Sequence, residues 1–412
     1  MKKILLAFAA ISIITLSITS CAEEHEDNIY DVEQKLLDAW MNEHEMNVGP
    51  DEEQPIRYSN GIYIKWLKRE PLGAKPAYGN WLKLNYTGMS LDGKVFKNRS
   101  KEVAIAENQF SEKTNYVPAY INYYESNGLT EGENFAIGQM REGEKVIAYI
   151  PSKLAFDGQT ETFSNGYGGH YSITAQTGPV KIEIELVDVV ENASIREKEL
   201  IVKCLKANGL TDASIDDGGD MVREGLYAKV LTQHKDTPEA EWNKEDLEKW
   251  GAYTKVDKDD ELYIYRDVYV IQEEKGNADG QGNPGDDQPK QVDGEFGLFL
   301  VSTDRIELAI DKWNDFTPYT PVFVRPSISS ETVVFAIREA LQKLDVNYMS
   351  SLLIVTTSEF TYGQNGYDQG TEPYGVIQPY TPLLIKVYVE RKTYESGTQQ
   401  LADETGGFGT PK

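Results

Sequence analysis

Cysteine is nearly missing from this chain: 412 residues hold two, Cys21 and Cys204. With Cys21 at the end of a leader, one thiol remains, so no intrachain disulfide forms even in an oxidising compartment. Histidine is almost as scarce. His25, His44, His170 and His234 are scattered, none has metal-ligand spacing, and each is expected at the surface. Neither a Gly-rich phosphate loop nor a serine–histidine–acid arrangement is present, so no metal and no cofactor is expected. Positive charge is in deficit: 41 basic residues face 67 acidic ones, a net charge of −26. Such a surface repels phosphate backbones and anionic headgroups, which excludes nucleic acid as a partner. No apolar run reaches spanning length. The longest, Ile4 to Ile18, is too short and wrongly flanked for a membrane helix.

That run is instead a targeting segment. Lys2 and Lys3 precede it and Thr19-Ser20-Cys21 closes it, which reads as a secretory signal over residues 1–20. The ending resembles a bacterial lipobox, with Ile18 where leucine is usual. The resemblance implies lipidation at Cys21, a place in the bacterial cell envelope, and membrane attachment through a lipid anchor only. The acidic stretch after Cys21 reads either as a surface-export signal or as a solvated tether. Within residues 21–54, Val32, Leu36, Leu37, Trp40 and Met41 fall on one face of a helix over 31–46 that Gly49-Pro50 ends. It is expected to pack on the first domain, with docking of a partner as the alternative.

The length allows two or three domains, and the pattern repeats. Gly61 to Leu67 alternates as a strand, and so does Trp81 to Tyr86, followed by an Asp92-Gly93 turn and Phe96. Residues 97–131 read as irregular, with Tyr116, Tyr120, Tyr123 and Tyr124 either a flap over a site or a satellite cluster. A short helix is expected at 133–140, a strand at 145–150 stopping at Pro151, a Gly-rich loop at 157–179 and a closing strand at 180–187. Residues 194–208 are helical with Cys204 on the apolar face, where a buried inert thiol is expected rather than a reactive one. Then the order recurs. Gly225 to Leu231 echoes Gly61, Leu262 to Tyr265 echoes Leu82 to Asn85, and Glu331 to Leu344 is again a helix. A strand at 352–356 and a closing segment at 377–387 complete it. Residues 275–290 are acidic and Gly-rich and read as disordered, and 395–412 as a frayed tail.

Two segments carry a family resemblance: LeuLysLeuAsnTyrThrGly with its Asp-Gly turn and Phe96, and MetArgGluGlyGluLysValIleAlaTyrIlePro at 140–151. In this order they resemble an FKBP-type peptidyl-prolyl isomerase domain, over about 60–190 closely and 223–393 loosely. The resemblance implies an α+β fold with two tandem FKBP-like domains, each a curled antiparallel β-sheet packed on a short helix. The implied boundaries are 55–192 for domain 1, 193–222 for a helical linker, 223–393 for a diverged domain 2 and 394–412 for the tail.

It also implies a substrate pocket of Tyr86, Phe96, Leu129, Thr130, Phe156 and Ile182, with the backbone N–H of Thr130 as the donor to substrate. The chain departs from the family at Lys97 (aspartate), Glu133 (the floor tryptophan) and Phe156 (tyrosine). In the second copy the matching positions are Val334, Ile337, Tyr362 and Ile385, with Arg266 at the place of the first tyrosine. Each of these side chains is otherwise a plain core residue, since strand aromatics and aliphatics usually are. The implied activity is isomerisation of Xaa-Pro bonds in envelope or secreted proteins, mainly through domain 1. The partners would be proline-containing client segments. The alternatives are a non-catalytic FKBP-like chaperone or binding lipoprotein, and a surface glycan-binding lipoprotein that would use the 25 tyrosines and 6 tryptophans for sugar stacking.

Overall fold

The computed structural model describes residues 28–47, 49, 53–110, 114–124, 128–156, 161–164, 170–173, 178–232, 254–257, 260, 262–275, 289–292, 294–303, 322–324, 332–367 and 377–391. Cys21, the acidic tether, most of 275–290 and the tail lie outside them. Among the described residues no helix is long and apolar enough to cross a membrane.

The chain divides into two compact units, residues 1–110 with 118–191, and 111–117 with 192–412. Unit 1 runs α1 (Ile29–His44), β1 (Ile56–Arg57), β2 (Tyr63–Lys68), β3 (Trp81–Ser90), β4 (Val95–Asn98), α2 (Lys101–Ala106), β5 (Ala119–Asn122), α3 (Glu131–Gln139), β6 (Lys145–Ile150), β7 (Glu161–Ser164), β8 (His170–Ile173) and β9 (Val180–Val190). Unit 2 runs α4 (Ala193–Ala207), β10 (Met221–Arg223), β11 (Leu226–Thr232), β12 (Leu262–Gln272), β13 (Gly297–Thr303), β14 (Val322–Val324), α5 (Thr332–Lys343), β15 (Ser351–Thr356) and β16 (Leu383–Arg391). The fold class is α+β.

The two main sheets are wired alike. The first has the order β1-β2-β6-β9-β3-β4 with β5 on β3. The second has β10-β11-β15-β16-β12-β13 with β14 on β12. All these pairs are antiparallel. Registers then fix equivalences between the two sheets. Ile182 lies between Gly88 and Ala148, and Ile385 between Val268 and Ile354. Tyr86 and Arg266 are therefore the same position.

Each sheet is covered on both faces, because a strand sends alternate side chains to opposite sides. In unit 1, Ile62, Ile64, Val146, Ala148 and Ile150 face α3 through Ala136, Ile137 and Met140, while Tyr63, Ile147 and Tyr149 face Leu37 and Met41 of α1. In unit 2, Leu226, Ala228, Leu352 and Ile354 meet α5 through Ala336, Ile337, Ala340 and Leu341. Tyr227, Leu353 and Val355 meet Leu200, Ile201, Cys204 and Leu205 of α4. Residues 193–207, expected as part of a linker, form this layer of unit 2, with Cys204 fully buried and burial pushing its thiol up. Helix α1 likewise forms a layer of unit 1.

Two segments differ from expectation. The stretch 97–131 contains α2, capped by the Ser100 hydroxyl accepting from Val103 N–H, and β5, which pairs with β3. Loop 157–179 contains the two-stranded ribbon β7–β8. Short elements of this kind hold too few residues for a period to register.

Candidate functional site

Helix α3 sets the site. Thr130-Glu131-Gly132-Glu133 is a reciprocal capping box: Glu133 N–H donates to Thr130 Oγ1 at 3.2 Å, and Thr130 N–H donates to Glu133 Oε2 at 2.9 Å. Gly132 lets this end close on the sheet, since a Cβ there would sit 2.2 Å from Ile150 Cγ2 and 3.0 Å from the Leu154 carbonyl oxygen.

Opposite, β4 carries a bulge. The register of β3 against β4 slips between Gly88 and Met89, leaving Phe96 as the extra residue. A Cβ on Gly88 would lie 2.7 Å from Phe96 Cε2, so glycine clears the space for the ring. Phe156 meets Phe96 edge-on, with centroids 5.7 Å apart and planes at 85°. Both rings sit in the cluster that contains Ile182, and Tyr86 and Leu129 pack against it half-buried. Five expected pocket side chains thus belong to or pack against the hydrophobic core of unit 1, and two of them, Phe96 and Phe156, are in ring contact.

Thr130, the sixth, is present in a different role. Its N–H, expected to bond substrate, is already engaged by its own helix. The buried Glu133 also pairs with Lys97, whose ammonium lies 5.0 Å from the centre of the Tyr86 ring. The two positions where this chain departs most from the family resemblance therefore meet each other as a buried ion pair, with side chains 11% and 2% exposed. Arg99 joins them, its backbone N–H donating to the Tyr86 carbonyl at 3.0 Å. Burial pushes the Tyr86 phenol up, but the Arg99 and Lys97 cations outweigh burial, with Glu133 opposing them, and hold it below its ordinary value. The Thr-x-x-Glu spacing was the available signal for the cap. Nothing local announces a pair that joins β4 to α3.

In unit 2, Ile337 and Ile385 are fully buried in the core, and Tyr362 packs against that core stacked on Tyr367 at 4.6 Å. The Val334 side chain lies outside the described residues. The bulge recurs: β12 against β13 slips between Val268 and Tyr269, which makes Val301 the counterpart of Phe96 and Ser302 that of Lys97. Of the tyrosines at 116–124, Tyr120 is buried on β5 and stacked on Trp81, Tyr123 packs against the unit 1 core, and Tyr124 is exposed edge-on to Tyr78. Among the described residues no His, Cys, Asp and Glu group is arranged to hold a metal.

No protein-family model matches the chain. No curated protein matches it either. Similar solved structures include a peptidyl-prolyl cis-trans isomerase from Pseudomonas syringae pv. tomato, at 21% identity over 40% of this chain and 98% of that one, TM-score 0.26. The three FKBP domains of wheat FKBP73 are 13% identical over 81% of this chain and 95% of that one, TM-score 0.25. FkpA from Escherichia coli is 18% identical over 46% of this chain and 82% of that one, TM-score 0.24.

Proposed function

We propose that unit 1 is an FKBP-type prolyl-peptide-binding domain that acts as a slow peptidyl-prolyl cis-trans isomerase. Its substrates are extended Xaa-Pro segments of envelope or secreted proteins, and the chain is held at the membrane by a lipid on Cys21. One observation carries the reading: Phe96 and Phe156 meet nearly at right angles, in the core cluster that also holds Ile182 and against which Tyr86 and Leu129 pack. A perpendicular ring pair beside aliphatics makes a corner that matches the flat apolar face of a proline ring.

The chemistry needs no nucleophile. Amide resonance holds the Xaa-Pro bond planar with a barrier of roughly 18–20 kcal/mol, and the twisted transition state has lost that resonance and its charge separation. A water-poor apolar corner therefore favours the twisted form over the planar one. Two features slow this site. The Lys97–Glu133 pair adds polarity beside the corner, and substrate gains the Thr130 N–H only by displacing Glu133 Oε2.

The same engaged N–H favours a second reading, in which unit 1 binds prolyl segments as a chaperone without isomerising them. Relaxation of a Leu-Pro peptide from cis to trans separates the two when measured beside aggregation of a client protein. A rate above the spontaneous one supports the isomerase. Suppressed aggregation with an unchanged rate supports the chaperone, and neither effect rejects both.

A further inference from the structure

Beyond the pocket, one contact is built twice. In unit 1 the Glu33 carboxylate, from α1 on the back of the sheet, accepts from Ser152 N–H at 2.7 Å through Oε1 and from Ser152 Oγ at 2.5 Å through Oε2. In unit 2 the Glu197 carboxylate, from α4, accepts from the N–H and the hydroxyl of Ser358, the latter at 3.0 Å. The helices that supply them start alike, with the Asn28 and Asn192 side chains capping the first turns. Asn28, Glu33 and Gly61 have Asn192, Glu197 and Gly225 as counterparts at one constant sequence offset. The unit 2 carboxylate is 3% exposed, so its two hydrogen bonds stand in for the water it has lost.

Each serine opens a short 3-10 turn, Ser152–Leu154 and Ser358–Phe360. Two residues past each turn stands a ring, Phe156 in one unit and Tyr362 in the other. The turn of unit 1 touches both layers. Ser152 is held from behind by α1, and the Leu154 carbonyl lies against Gly132 at the start of α3. Without the clamp, the Ser152 N–H and hydroxyl lose that acceptor, and the turn keeps its own Leu154 and Ala155 N–H bonds to Pro151 and Ser152 and the packing of Leu154 and Ala155 on the core.

We infer that Glu33 is a positioning residue for the unit 1 pocket, fixing the turn that presents Phe156 to Phe96, and that Glu197 does the same for Tyr362. The inference takes Phe156 as a pocket ring and so rests on the function proposed above, but its test needs no activity. The full chain carries 4-fluorophenylalanine at position 156, and its fluorine resonance is read without peptide. Held edge-on to Phe96, that ring places its fluorine in the ring current of its neighbour.

Glu33→Ala is expected to move the resonance by more than its linewidth and to broaden it. Glu33→Gln, which still accepts from the Ser152 N–H and donates to its hydroxyl, is expected to restore it. Asp38→Asn breaks a different contact of the same helix, with Arg57 and Tyr63, and is expected to leave the resonance in place. A Glu33→Ala resonance superimposed on the wild type overturns the inference, as does an equal shift from Asp38→Asn. Should the chain prove inactive on prolyl peptides, these spectra still decide the clamp.

Discussion

Unit 1 and unit 2 share strand order, registers, the bulge and the carboxylate clamp, yet they fill one spot in opposite ways. In unit 1 a glycine on β3, Gly88, faces a large ring on β4, Phe96. In unit 2 the same pair is Val268 and Val301, both buried in the core. Volume has moved from one strand to its neighbour. Where the small residue is glycine, its neighbour is a large ring that meets Phe156 edge-on, and where both are valine, the space is filled by two aliphatic side chains. Around it Tyr86 becomes Arg266 and Ala148 becomes Ile354. The frame persists because sheet register and apolar alternation are satisfied by many side chains. The aromatic corner does not persist, because it depends on one size relation. Hence the activity proposed for this chain belongs to unit 1.

The sharpest way to break this comparison is to convert one unit into the other. Gly88→Val alone forces a Cβ into the Phe96 ring, an overpacking expected to cost about 1–3 kcal/mol, read by denaturant unfolding. Phe96→Val alone opens a cavity and is expected to destabilise as well. Together they should cost less than the sum of the two, with a coupling of about 1–3 kcal/mol, since each makes room for the other. Additive costs would mean the two positions do not share space.

A second difference is the ion pair of unit 1, whose counterpart positions in unit 2 are Ser302 and Ile337. Replacing Lys97 by Met and Glu133 by Leu together removes two buried charges and frees the Thr130 N–H. Stability is expected to hold or rise, and kcat/KM on a Leu-Pro peptide to rise about tenfold, a gain of about 1.4 kcal/mol. Glu133→Leu alone strands a buried ammonium and is expected to cost about 3–5 kcal/mol. A double variant slower than wild type would show that the pair assists the reaction.

One carboxyl on the covering helix of each unit responds to pH with opposite sign. Burial pushes the Asp38 carboxyl up, but hydrogen bonds from Gln34, Arg57 and Tyr63 outweigh it and hold the group below its ordinary value of 3.8. The stability it supplies is present above that value and lost as pH falls through the folded one. Burial raises the Glu197 carboxyl above 4.5 despite the Ser358 bonds. The stability it supplies is present below 4.5 and lost as pH rises through the raised value. At pH 7, Asp38→Asn is expected to lower Tm and Glu197→Gln to raise it, each by roughly a few degrees. Thermal scans in which both variants move together would contradict this.

Smallest is the effect expected at the diverged pocket: Tyr362→Phe should change total isomerase activity by less than about twofold, well under 1.4 kcal/mol of barrier. A large loss would make unit 2 the active copy.

Much of the frame was legible before any coordinates. Leu82 and Leu84, and Ile182 and Ile184, alternate visibly, and the echo of Gly61 in Gly225 and the placing of Arg266 against Tyr86 agree with the registers. The match of Val301 to Phe96 was not legible. The bulge offsets the pairing, and the turn of β3–β4 is replaced in unit 2 by the long stretch between Gln272 and Gly297, so no spacing connects the two. From sequence alone helix α4 falls in a linker, because an amphipathic helix does not announce which sheet it will cover. The Asn-to-Glu spacing it shares with α1 was the missed signal. The family resemblance makes the Thr130 N–H a substrate donor, whereas the Thr-x-x-Glu spacing carries the signal of the capping box that engages it.

The most direct measurement is the cis-to-trans relaxation rate of a Leu-Pro peptide with the wild-type chain and with Phe96→Ala, each first shown to be folded by near-ultraviolet circular dichroism. The expected result is acceleration by the wild type and at least about a tenfold loss in the variant, equal to 1.4 kcal/mol of transition-state stabilisation. Equal rates for the two folded proteins would contradict a prolyl site at the Phe96–Phe156 corner.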